Sequence, residues 1–319
     1  MDVFGHLIGH GNKQDVSGLL PAIERSVNAV EPMLMQISGY PGHYRKPVAA
    51  ALEYSNRLAA TVPGPVVVDR ISYAKDAFVH ALFPDLNFVD EAICSSLSLQ
   101  DYLRDFPASN ELYALMGMRR FEKSVVGMEL SGEVVQHDVA QKAIYFTSHT
   151  IANPAPNEKG ARDLVAMSFF DSLVDKVKRR VEQRKQAKQS QLLEKDMLMA
   201  KLRTADEQDR PALEERLAEQ LSNMQNTLDS LDLAHYIADF EAVLLHPEEY
   251  LRLNQTPIMM DSMGIRRAED DAGGGKAIIF HDLIGYDRRD WTVTMVHCSN
   301  LQKESFATRL DKAYRRLSI

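Results

Sequence analysis

At 319 residues the chain is long enough for about two domains of the usual ~100–200 residues each. Hydrophobic residues make up 45% and charged residues 26%, which suits a globular protein with a sizeable core. A net charge of −8 argues against a general binder of nucleic acid or of membrane surfaces.

Two cysteines, Cys94 and Cys298, stand far apart and form no CxxC pair, as expected of reduced thiols in the cytoplasm. No stretch approaches ~18 consecutive apolar residues, and Met1–His10 carries Asp2 but no basic segment. A cytoplasmic protein with neither membrane insertion nor a secretion signal is the expectation.

From Gln14 to Ser38 the apolar positions Leu19, Leu20, Ile23, Val27, Val30, Met33, Leu34 and Ile37 share one helix face, interrupted by Pro21 and Pro32. After the turn Gly39–Gly42 a second helix is expected over Lys46–Ala60, ending before Pro63-Gly-Pro65. Val66–Val68 reads as a short buried strand, followed by a loop and a helix over Ala74–Phe83. Further helical pieces fall near Val89–Leu97 and Leu99–Phe106, the second with Ser98 as a cap three residues before Asp101.

Alternating patterns begin beyond the break at Pro107–Asn110. Tyr113–Met118, Lys123–Leu130, Glu133–His137 and Lys142–Ile151 read as four strands of a meander, separated by Gly127, Ser131-Gly132 and Asp138–Gln141. Ile258–Ile265, Ala277–Phe280 and Trp291–Cys298 are expected strands near the other end, and a basic amphipathic helix is expected over Lys303–Leu317.

Between these β-rich stretches, residues 158–245 read as two long helices folded back at Thr204–Pro211, with Asn157 capping the first and Asp209-Arg-Pro211 opening the second. Leu213, Leu217, Leu221, Met224, Leu228 and Leu231 form an apolar seam on the second arm. Val174, Val177 and Val181, then Leu193, Met197 and Ala200, supply the first arm. From Lys176 to Lys188 there are seven basic residues and one acid, Glu182. An antiparallel fold-back sets this run against Asp229, Asp232, Asp239 and Glu241. Each exposed pair contributes only ~0.3–0.5 kcal/mol, so the pattern fixes register more than stability.

The expected fold is therefore α+β. A helical N-terminal region (1–110) precedes an antiparallel sheet or partly open barrel (111–319) that the long helical hairpin (158–245) interrupts. Two small β units joined by a helical spacer are the alternative.

The stretch Pro65–Phe83 has the strand, loop, lysine and helix of a phosphate-binding loop. Its outline resembles that of dynamin-like GTPases over this stretch alone. Asp69 and Ala74 stand where that pattern has glycines, and Asp76 where it has Ser or Thr, so only Lys75 fits. His6/His10 and His235/Asp239 have a spacing of four but lack further ligands nearby. Glu269–Gly275 lacks the alternating ligands of a calcium loop. No HExxH, GxSxG, CxxC or GxGxxG occurs, and neither metal nor cofactor is expected.

Asp282, Asp287, Arg288, Arg289 and Asp290 cluster beside Trp291 between two strands, where a small-molecule site can form. Arg119 and Arg120 are placed to meet a phosphate or a neighbouring carboxylate. Two functions are compatible with these features. The first is a non-catalytic interaction or assembly protein that meets a protein partner, or itself, through the hairpin, with Lys178, Arg179, Leu217, Leu221 and Met224 as contact candidates and nucleic acid not expected as the partner. The second is a nucleotide- or small-molecule-binding protein or enzyme with its site near Val66–Lys75 or Asp282–Trp291, where Lys75, Asp287, Arg288, Arg289 and Trp291 are the ligand candidates.

Overall fold

The computed structural model describes residues 16–94, 96–107, 109–131, 134–229, 233–267, 275–285 and 290–299. The helix expected over Lys303–Leu317, the His6/His10 pair and the loop at 268–274 lie outside them. The fold is α+β, and no helix among the described residues is long and apolar enough to cross a membrane.

The chain divides into two compact units. One unit comprises residues up to Tyr54 together with Phe169–Tyr250, and the other comprises Ser55–Ser168 together with Leu251 onward.

The first unit is helical. Helix α1 (Val16–Val30) buries Ile23 and Val27, and a 3-10 turn at Pro32–Gln36 follows, capped by Glu31, which accepts from Met33 N–H. Helix α2 (Gly42–Thr61) begins in this unit. Tyr44 on α2 donates to the Leu34 carbonyl and meets Phe240 edge-on at 5.1 Å. Burial pushes the Tyr44 phenol up to about 12. The hairpin consists of α7 (Glu158–Thr204), α8 (Arg210–Asp229) and α9 (Leu233–Leu244). Asn157 caps α7 as expected, its Oδ1 accepting from Gly160 N–H at 2.8 Å. The second arm is described as α8 and α9, and residues 230–232 between them lie outside the described residues.

The second unit is built on a six-stranded sheet in the order β3-β2-β6-β5-β4. Its members are β2 (Glu111–Ser131), β3 (Val134–Ala155), β4 (Arg252–Met260), β5 (Lys276–Ile284) and β6 (Asp290–Ser299), with a two-residue β1 (Val66–Val67) parallel to β6. Strand β2 precedes the hairpin and β6 follows it, and the two pair from Glu111↔Ser299 to Met118↔Thr292. The hairpin is thus inserted within one sheet.

The four-strand meander expected before the hairpin is instead a single hairpin of two long strands. Gly127 and Asp138–Gln141 lie inside these strands. At three places one residue of β2 opposes two of β3, and the bulged residues include Asp138, Ser148 and Asn153, with φ of 59°, 56° and 59°. Such bulges let a long ribbon coil without ending it, and Asn and Asp tolerate positive φ better than most residues. Of the stretch Asp138–Gln141 that reads as a turn, Asp138 is a bulge residue and the other three pair regularly with Val125–Gly127.

After β4 a turn at Asp261–Gly264 sends Ile265–Arg267 back between β4 and β3. Arg267 N–H donates to the Met259 carbonyl, while Ile144 N–H donates to the Gly264 carbonyl and Arg266 N–H to the Lys142 carbonyl. This joins the two ends of the sheet order, as in a partly open barrel.

Helices α4 (Ala77–Leu82), α5 (Leu86–Cys94) and α6 (Leu97–Asp105) cover one face, packing Val79, Leu82, Val89, Leu99 and Leu103 against Leu112, Met116, Ile151 and Phe280. The cap of α6 is Ser96, two residues before the expected Ser98. Arg162 on α7 closes the end of α2, donating to the carbonyls of Ala59 at 2.8 Å, Val62 at 3.0 Å and Gly64 at 3.0 Å. A guanidinium there satisfies carbonyls that have no helical partner and carries the favourable charge for a helix C-terminus.

Candidate functional site

The inner part of the hairpin follows directly from its apolar pattern. Leu173, Val174, Val177 and Val181 are all buried, and Phe240, Val243 and Leu244 of α9 are buried in the same unit. The basic run is satisfied from within this unit. Arg184 makes two hydrogen bonds to Asp239, at 2.5 and 3.2 Å, and Arg180 lies 3.7 Å from the same carboxylate. Arg180 also donates to the Tyr250 hydroxyl at 2.7 Å and sits over its ring. Lys185 pairs with Glu31, and this hydrogen bond holds the Glu31 carboxyl below its ordinary range.

The contact candidates Lys178 and Arg179 are exposed and matched on their own helix, to Glu182 at 4.0 Å and Asp175 at 2.8 Å. The expected opposition of charges is therefore present at Asp239. Asp232 and the side chain of Asp229 lie outside the described residues.

Beyond Arg184 the pattern reverses. The face of α7 turned towards α8 continues from Val177 and Val181 through Arg184, Lys188, Gln191, Lys195, Leu198 and Leu202, all at least half-buried. Gln220 of α8 donates to the Gln191 carbonyl at 3.5 Å on this side. On α8 the same side holds Leu213, Leu217 and Gln220, while Leu221 is exposed. Met224 lies in α8, with its side chain outside the described residues.

Leu193 and Met197 were expected in the seam. They are 58% and 59% exposed, whereas Leu198 is buried. The cause is phase. Steps of three and four from Val181 reach Leu198, and at about 100° per residue Leu193 and Met197 fall on the opposite side of the helix.

That outer side has a regular composition. Gln186, Ser190, Leu193, Met197, Ala200 and Thr204 follow one another at steps of four and three, all exposed and none charged. Charged residues flank them, with Glu194 and Asp196 nearer the base and Lys201 and Arg203 nearer the tip. Asp196 is 3.4 Å from Lys195. A charge-free stripe with apolar side chains, bordered by two rows of charge, is the pattern by which a helix meets another helix.

The other predicted positions are arranged differently. The segment expected as a loop after Val66–Val68 forms helix α3 (Arg70–Lys75) and then α4. Asp69 Oδ1 accepts from Ser72 N–H at 2.6 Å, and Asp76 Oδ1 from Phe78 N–H at 2.8 Å. The carboxylates that depart from a phosphate-binding pattern thus occupy the helix starts that a phosphate would need. Lys75 is exposed at the end of α3.

Asp287, Arg288 and Arg289 lie outside the described residues, while Trp291 is half-buried in β6 opposite Leu283. Asp282 faces the core side of β5. Arg120 binds both its oxygens, at 3.1 and 2.8 Å, Thr256 donates to it at 2.6 Å and Thr292 at 2.7 Å. Arg120 therefore meets a carboxylate, the second of its two expected partners. With both oxygens engaged, Asp282 ties β2, β4, β5 and β6 together and has little capacity left for a ligand.

Among the described residues no group of three or more His, Cys, Asp or Glu side chains is placed to hold a metal ion. Cys298 is a buried thiol. No family model, curated protein or solved structure matches the chain.

Proposed function

We propose that this protein is a non-catalytic interaction or assembly protein whose contact surface is the outer side of α7. The reading rests on the exposed, uncharged stripe Gln186–Thr204 with Leu193 and Met197 at its centre. Leu198 on the other side of the same helix is buried, so exposure of the stripe is not a consequence of the whole arm being bare. An apolar side chain on a helix arm is most economically kept exposed where a partner covers it.

The inner basic run supports the same reading by contrast. Its arginines are engaged by Asp239 and Tyr250, which leaves the outer arm as the better contact surface. A partner helix is the expected occupant of a straight stripe of this periodicity.

The test is the size of the particle that the full-length chain forms inside cells that express it, fixed by brief chemical crosslinking before lysis. A particle larger than the chain's own 35.9 kDa is expected, reverting towards that mass when Leu193→Glu and Met197→Glu are combined. Identical particle sizes for the two forms would exclude the outer side of α7 as the contact surface.

A further inference from the structure

We infer that the occupant of this stripe is a second copy of the same chain, its α7 running antiparallel, with the two-fold axis near Leu198 and Met199. The inference rests on the contact surface proposed above and adds the identity and orientation of the partner.

The argument is the order of charges. Along one border of the stripe Glu194 is followed one heptad later by Lys201, and along the other Asp196 is followed one heptad later by Arg203. In an antiparallel pair of helices, equivalent border positions face each other across the axis. Glu194 then lies opposite Lys201 of the second copy and Asp196 opposite Arg203 of the second copy, each pair occurring twice. The uncharged positions fall into register with the same axis. Met197 meets Ala200 of the second copy, and Leu193 meets Thr204 of the second copy. A parallel pair with the two helices in register would match only Asp196 with Lys201. The α8-facing seam is on the far side of α7, so a second copy can approach without disturbing it.

The overlap from Leu193 to Thr204 is roughly 18 Å of helix at about 1.5 Å per residue. That is short for a stable interface, which covers at least ~1,200 Å². The association is therefore a weak, reversible one, seen at tens to hundreds of micromolar.

Sedimentation of the purified full-length chain over that range tests it. The wild type is expected to pass from monomer to dimer, and Met197→Glu to remain monomeric at every concentration. The pair Glu194→Lys with Asp196→Lys makes both borders basic, and the pair Lys201→Glu with Arg203→Glu makes both acidic. Each doubly substituted chain alone is expected to associate at least tenfold more weakly than wild type, and an equimolar mixture of the two to dimerise at least as tightly. All these positions are exposed, and unchanged circular dichroism checks that the helices persist.

A wild-type chain that stays monomeric throughout overturns the inference, as does a mixture no tighter than its components. If the purified chain is monomeric but the native particle still shrinks on Leu193→Glu/Met197→Glu, the second copy is excluded and the contact surface stands. If neither responds, both fall.

Discussion

The two halves of α7 are one unbroken helix with opposite designs. From Phe170 to Lys185 the apolar side chains point inward and are buried, while the charges on the flanks are paired within the unit, Arg179 with Asp175, Arg184 with Asp239 and Lys185 with Glu31. From Lys188 to Lys195 the inward side is polar or basic, and Leu193 and Met197 point away from α8. Helical propensity does not explain the burial, since the inner half, with Asp171, Val174, Asp175, Val177 and Val181, holds the weaker helix formers. The difference is what each half is built to contact. An inner half holds the helix in its unit, and an outer half that buries so little leaves its apolar side for something else.

The comparison breaks most visibly if a charge enters the inner seam. Val177 is fully buried, so Val177→Asp places an unpaired carboxylate among apolar side chains and should cost about 4 kcal/mol or more. In urea unfolding followed by circular dichroism the midpoint should collapse, whereas Leu193→Asp should leave it nearly unchanged. Equal losses at the two positions would refute the contrast. The next effect is within the outer half. Leu198→Ala removes a buried side chain and should cost about 2–3 kcal/mol, while Leu193→Ala should stay within about 0.5 kcal/mol. Asp239→Ala should cost about 2 kcal/mol in the same assay, because Arg184 loses two charge-assisted hydrogen bonds but remains partly open to water.

Periodicity made the inner half legible and misled in the outer half for the same reason. A valine stripe at Val174, Val177 and Val181 signals its own face, but it says nothing about phase across a stretch where Ala187 is the only apolar residue. Leu193 and Met197 looked like its continuation because they were apolar, whereas the turn geometry assigns that role to Leu198 and Leu202. In the sheet, the β-rich stretches were readable from alternation, whereas their joining into one layer was not, because it rests on pairs such as Leu112↔Cys298 that lie far apart in sequence. Nor was the length of β2 and β3, because a bulge residue such as Asp138 or Asn153 has the same local chemistry as a turn residue. The Arg120–Asp282 pair joins positions 162 residues apart, and a single sequence does not disclose such a partnership.

The smallest effect concerns acid and bears on the inner half. Lys185 of α7 donates to Glu31, and this bond, more than any other contact, holds the Glu31 carboxyl below its ordinary 4.5. A carboxyl with a lowered folded-state value binds fewer protons folded than unfolded, so its contribution to stability is complete above 4.5 and fades as pH falls through the lower folded value. Glu31→Gln should therefore lower the melting temperature slightly at pH 7 and less at pH 3.5, so that the melting curves of variant and wild type converge in acid. A constant gap for Glu31→Gln across that range would mean that the pair with Lys185 does not hold the inner half in place.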